Sequence, residues 1–117
     1  MLRATALIGF QATLPGIHLR KLLVSDGQGT ERLVTNVQMT EWPDFGVPES
    51  SDHVRSVLDI LDHYLQAGGG PPVIHCSAGL GRTGSFIAIH SCLTQLRVHG
   101  TCNVRETVRV MRQQRAV

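Results

Sequence analysis

Acidic residues are absent from the first 25 positions of this 117-residue chain, the first being Asp26. Cysteine is scarce and odd in number: Cys76, Cys92 and Cys102. Three cysteines without paired spacing argue against a disulfide framework and for a reducing compartment. None of the six histidines stands at metal-ligand spacing from a cysteine, so no metal site is expected. No run approaches the ~20 apolar residues that a membrane span needs. A net charge of +2 without a basic run gives no case for a nucleic-acid partner. Glycines cluster near residue 80, yet no Gly-Lys-Ser/Thr follows them, which excludes a nucleoside-triphosphate loop. There is no internal repeat, and low complexity is confined to the Gly-Gly-Gly-Pro-Pro run at 68–72.

What is present suits one modest domain, with a hydrophobic content of 42%. Residues 1–14 carry one charge, Arg3, and their apolar run at 6–10 is short for a secretory core. Basic and acid-free, the segment has the cast of a weak transit peptide, but a disordered or alternative start is the reading adopted. Residues 1–15 are left unassigned. Residues 17–24 read as a strand, 25–30 as a turn cluster, and 31–40 as a second strand paired antiparallel to the first. Leu33, Thr35, Val37 and Met39 fall on one face of it. A helix is expected over 51–68, capped by Ser50 or Ser51, with Val54, Val57, Leu58, Leu61 and Leu65 as its apolar stripe. A second runs from Thr83 to His99 with Phe86, Ile89, Leu93 and Leu96 on one face and Gly100 as C-cap. Asn103 caps a third, with Glu106 reaching back to complete a capping box. Arg105, Arg109, Arg112 and Arg115 read as its solvated face.

The chain is organised around residues 73–84, VIHCSAGLGRTG. The apolar run before Cys76 predicts a buried strand over 73–75, and a helix is predicted from near Arg82. Gly79 and Gly81 let the backbone between them curl around one tetrahedral anion, with the amides of Ser77, Ala78, Gly79, Leu80, Gly81 and Arg82 pointing inward. The positive end of the helix and the planar fork of Arg82 suit a phosphate dianion. The same field favours a thiolate at Cys76, and a thiolate beneath phosphorus is a nucleophile for phosphoryl transfer. Gly79 to Gly84 also match G-x-G-x-x-G. The acidic residue which that dinucleotide pattern needs at the end of a second strand is missing, because Glu106 falls in a helical stretch.

His-Cys, five residues, Arg and Thr resemble the active-site signature of the protein tyrosine phosphatases. Trp42-Pro43-Asp44, followed by Phe-Gly-Val-Pro about 30 residues upstream of the cysteine, is similar to that family's mobile acid loop. The resemblance implies an α/β fold, with a mixed sheet flanked by helices and the phosphate loop set between a buried strand and a helix. It implies hydrolysis of phosphotyrosine on partner proteins through a cysteinyl-phosphate. Cys76 is then the nucleophile, Asp44 the acid and later the base, and Arg82 the clamp on the phosphate. Thr83 assists the sulfur as it leaves, and His75 supports the low thiol pKa. No metal or other cofactor is implied. The Trp-Pro-Asp form and the Ser-Ala-Gly core point to the tyrosine-specific branch, and the tail at 103–117 most resembles the non-receptor members, hence a cytoplasmic location.

The resemblance covers residues 16–117, read as a partial catalytic domain. The family's upstream Lys-Asn-Arg-Tyr segment, which walls the pocket, is not found, and the chain ends where its Gln-Thr-x-x-Gln loop should begin. A short isoform or fragment is therefore expected. Its alternative role is a catalytically impaired module that binds phosphotyrosine.

Overall fold

The computed structural model describes residues 3–11, 15–43 and 45–115, with side chains from residue 15 onward. The chain divides into two compact units, Met1–Ile60 and Leu61–Val117. Among the described residues there are three strands and three helices, so the α/β class stands.

The first unit is built on a three-stranded sheet in the order β1 (Arg3–Gln11), β2 (Ile17–Ser25), β3 (Glu31–Met39). Both pairings are antiparallel, where a mixed sheet was expected. β1 also corrects, for residues 3–11, the expectation of a disordered or alternative start. Its backbone pairs with β2 from Arg3↔Ser25 to Gln11↔His18, with a bulge between Ala6 and Ile8. β2 and β3 pair without a shift from Ile17↔Met39 to Ser25↔Glu31. The turn between them is held by Asp26, whose Oδ1 accepts from the Gln28 N–H at 2.7 Å and the Thr30 N–H at 3.2 Å. Those bonds, the Gln28 one foremost, hold the Asp26 carboxyl below its usual range.

Only part of the expected β3 face is covered. Thr35, Val37 and Met39 are half-buried, but Leu33 is 63% exposed at the turn end. The core of this unit is Ile17, which is fully buried, with Val54 and Leu58. Those two lie four apart on α1 (Asp52–Gln66), one turn of helix, and so share a face. Ser50 Oγ accepts from the Asp52 N–H at 3.1 Å and serves the orphan donors at the start of α1.

The second unit begins with the last residues of α1, Asp62 among them, and holds α2 (Gly81–His99) packed on α3 (Val104–Gln114). Gly100 ends α2 in the left-handed region, at φ 76°, and its N–H returns to the Leu96 carbonyl at 2.9 Å. Asn103 caps α3 through its side chain, which accepts from the Glu106 N–H at 2.9 Å. The expected capping box is half made. Glu106 turns instead to Arg109, with two contacts of 2.9 and 2.6 Å, and the Asn103 N–H donates to Gln95 Oε1 at 3.1 Å. Gln95 also donates to Thr107 Oγ1 at 2.7 Å, so one amide ties α2 to the entry of α3. A bidentate charged pair outcompetes the back-bond, although, being exposed, it adds little stability. The Asn103 cap serves a helix with no buried residue of its own. Asn103→Ala is expected to cost about 1 kcal/mol, read as a lowered urea midpoint at unchanged slope.

On the other side of α2, Asp62 accepts from Arg97 Nη2 at 2.9 Å and lies 3.2 Å from His90 Nε2. Burial works against this carboxylate, but the two partners outweigh it and hold its pKa below the usual range. Phe86 is the buried apolar anchor of α2; Ile89 and Leu96, expected beside it, are more than a third exposed. Among the described residues no helix is long and apolar enough to cross a membrane.

The candidate active site

The strand predicted over 73–75 does not form. Residues 71–76 have no regular structure, and Val73 is 88% exposed. A strand is stable only beside a partner that takes its N–H and C=O groups, and among the described residues none pairs with this run. The apolar composition was a correct sign of strand propensity, but propensity is overridden when pairing is missing.

The loop that follows, 77–80, runs as bends into α2, whose first residue is Gly81. Gly79 has φ +73°, which L side chains rarely adopt, and no other residue of the loop is left-handed. That turn brings the Gly79 N–H onto Cys76 Sγ at 3.3 Å. Cys76 itself is partly exposed.

The surroundings pull the Cys76 thiol from an ordinary 9.0 to about 6. The Thr83 hydroxyl is the largest influence, followed by the Thr83 backbone N–H. Partial desolvation opposes them, and the Gly79 and Leu80 N–H groups add to the lowering. All are donors from the loop and the first turn of α2, where the helix presents its positive end. Thr83 Oγ1 is buried and forms no hydrogen bond among the described residues. The hydroxyl lowers the thiol pKa as a hydrogen-bond donor toward the sulfur, in a geometry looser than that of the Gly79 N–H. Cys102 moves the opposite way: burial first, then the neighbouring Cys92, push its thiol up.

Arg82 is the second residue of α2 and half-buried. His75 is exposed, with Nδ1 3.4 Å from the Cys76 carbonyl oxygen. Ser77, Ala78 and Leu80 are exposed. Thus the Gly79 N–H and Thr83 act on Cys76, and Arg82 lies beside Thr83 in the first turn of α2. Asp44 lies outside the described residues. Its neighbours Trp42 and Pro43 do not: Trp42 Nε1 donates to the Gly46 carbonyl at 3.3 Å and bridges the loop expected to carry the acid. The Thr40 N–H and Oγ1 both reach the Gly16 carbonyl, at 2.8 and 3.1 Å, and fix the loop's leading end.

Sequence reasoning missed Arg115. It was assigned to the solvated face of α3, yet its Nη2 lies 3.5 Å from the Ala78 carbonyl oxygen. Helical spacing misplaces it because α3 ends at Gln114 and Arg115 takes an extended backbone, φ −133°, leaving the helical stripe.

Comparison with known proteins follows the same residues. The family described as Protein-tyrosine phosphatase matches residues 5–117, which reaches into β1. Receptor-type tyrosine-protein phosphatase zeta of Rattus norvegicus is 42% identical over 89 residues, covering 76% of this chain and 4% of that protein. Tyrosine-protein phosphatase non-receptor type 9 of Mus musculus is 40% identical over 99 residues, 74% of this chain and 17% of its own length. Tyrosine-protein phosphatase Lar of Drosophila melanogaster is 36% identical over 107 residues, 87% of this chain and 5% of that protein. The chain thus spans less than a fifth of each of these relatives, and they include receptor and non-receptor types. A match that takes in nearly every residue, and a loop that makes one cysteine acidic, lead to one statement: the chain belongs to the protein-tyrosine phosphatase family.

Proposed function

We propose that this chain hydrolyses phosphotyrosine on proteins in two steps through a cysteinyl-phosphate. The observation that carries the reading is the Cys76 thiol, drawn to about 6 by Thr83 and the loop amides at the start of α2. At neutral pH the sulfur is then a thiolate and needs no separate base. It attacks phosphorus, the S–P bond forms, and the bond to the tyrosine oxygen breaks. Asp44 gives its proton to the departing oxygen. In the second step Asp44, now a carboxylate, takes a proton from water. That water attacks phosphorus, the S–P bond breaks, and inorganic phosphate leaves with the thiolate restored.

Arg82 and the N–H groups of residues 77–82 hold the non-bridging oxygens, so the barrier falls through placement and charge complementarity. Thr83 donates to the sulfur as its charge returns, and His75, beside the Cys76 carbonyl, fixes the loop and supports the low thiol pKa. The phosphotyrosine-binding module with little turnover keeps one supporting observation. The run leading into Cys76 is exposed and unpaired, and so gives the nucleophile less support than a strand would.

Alkylation by iodoacetate against pH, with turnover of a small aryl phosphate measured on the same preparation, tests both. Cys76 should react along a curve with its midpoint near pH 6, ahead of Cys102, and vanadate should protect it. Turnover with that pattern supports the phosphatase; protection without turnover supports the binding module. Faster reaction of Cys102 at pH 6 would remove Cys76 from the role of nucleophile.

A further inference from the structure

The peptide joining Ala78 to Gly79 is held at both ends. Its N–H donates to Cys76 Sγ at 3.3 Å, and its carbonyl oxygen accepts from Arg115 Nη2 at 3.5 Å. The guanidinium lies close against the loop: a Cβ placed on Gly79 would stand 3.2 Å from Nη2 and 3.6 Å from Cζ. We propose that Arg115 is a positioning residue for the phosphate loop, holding the Ala78 carbonyl outward so that the Gly79 N–H stays on the nucleophilic sulfur.

The physical case begins with the planarity of the peptide. Fixing the direction of its oxygen fixes that of its N–H. Glycine at 79 allows the left-handed φ of +73° that the turn requires, but it also leaves the peptide free to rotate, since no Cβ resists. A rotated peptide turns its carbonyl toward the sulfur and toward any bound phosphate, replacing a donor with the negative end of a dipole. An outside clamp on the oxygen removes that alternative. A cation on the carbonyl also polarises the peptide and strengthens the N–H as a donor. The charged and titratable groups of the loop are His75, Cys76 and Arg82; Arg115 is brought to it from 37 positions away. It touches neither the sulfur nor the place of the substrate in this account and acts through one peptide only. A planar fork suits an oxygen on a loop edge better than the point charge of lysine.

The consequence rests on the phosphatase reading, and the experiment separates the two. In the full chain, Cys76 alkylation against pH and its protection by vanadate are measured for the wild type, Arg115→Gln and Arg115→Lys. Far-UV circular dichroism and melting are recorded alongside. Arg115→Gln is expected to move the midpoint up by roughly half to one pH unit, which lowers the alkylation rate at pH 6 about two- to fivefold. Vanadate protection should weaken by a similar factor, and Arg115→Lys should fall between the two. A purely structural role would lower the melting point without moving the alkylation midpoint of the folded protein, and that result overturns the inference. Should Arg115→Gln fail to fold, Arg115→Lys carries the comparison, and an unmoved midpoint there has the same force. A wild-type Cys76 no more acidic than Cys92 or Cys102 would overturn the nucleophile assignment, and this inference with it. An acidic wild type with unmoved variants overturns this inference alone.

Discussion

Cys76→Ser is expected to lower turnover of a small aryl phosphate by on the order of 10⁵- to 10⁶-fold, the size of effect that follows loss of a nucleophile acting in a concerted set. The loop donors can draw a thiol down to about 6, which puts it in reach of neutral pH. An alcohol starts far higher, and the same donors leave it protonated and weakly nucleophilic. Binding of an oxyanion should persist, because the N–H groups and Arg82 are untouched and the negative sulfur beneath the ligand is gone. Calorimetric titration with a phosphotyrosine peptide, set beside the rate measurement, separates the two quantities. A variant that loses binding and turnover together would place Cys76 in the folding of the loop, and one that keeps turnover would place the chemistry elsewhere.

Asp44→Ala is expected to lower kcat by about 10²- to 10⁴-fold, with little rise in KM. In the proposed mechanism the proton it supplies matters only as the bond to the leaving oxygen breaks, so its loss falls on the transition state and spares the ground state. Two aryl phosphates whose phenols differ in acidity sharpen the test. The better leaving group needs less protonation and should suffer the smaller loss. The competing account gives Asp44 a turn-forming role after Pro43. In that case the two substrates lose rate equally and the melting temperature falls with them.

How much could be read before the fold was known differs by kind of feature. Signals carried by a few adjacent residues transferred well. The Gly100 C-cap, the Asn103 cap, the β2–β3 hairpin and the Cys76-to-Thr83 turn all depend on neighbours in the chain, and all form. Features that need a distant partner transferred poorly. Residues 73–75 have the composition of a strand and no strand beside them. Glu106 had the right offset for a capping box, but Arg109 is the stronger donor to its carboxylate, and Gln95 accepts from the Asn103 N–H eight residues away. Residues 3–11 carry one charge, Arg3, and an apolar run too short to decide their fate alone, yet a main-chain ladder asks little of side chains, and β2 offered an open edge. Arg115 reaches the loop only because the helix before it stops, and a helical repeat cannot announce where it will be broken.

The acidity of Cys76 also has a proton inventory. Between pH 6 and 9 the unfolded chain keeps a proton on this sulfur that the folded chain has released, so folding in that range delivers a proton to solvent. The unfolded state binds more protons there, and the contribution of this group to stability rises with pH across the window. It is complete above the ordinary thiol value of 9.0 and is lost as pH falls through about 6. Acidification below that point therefore removes two things in a single titration: the charge that attacks phosphorus in the proposed mechanism, and the charge toward which the loop donors are gathered.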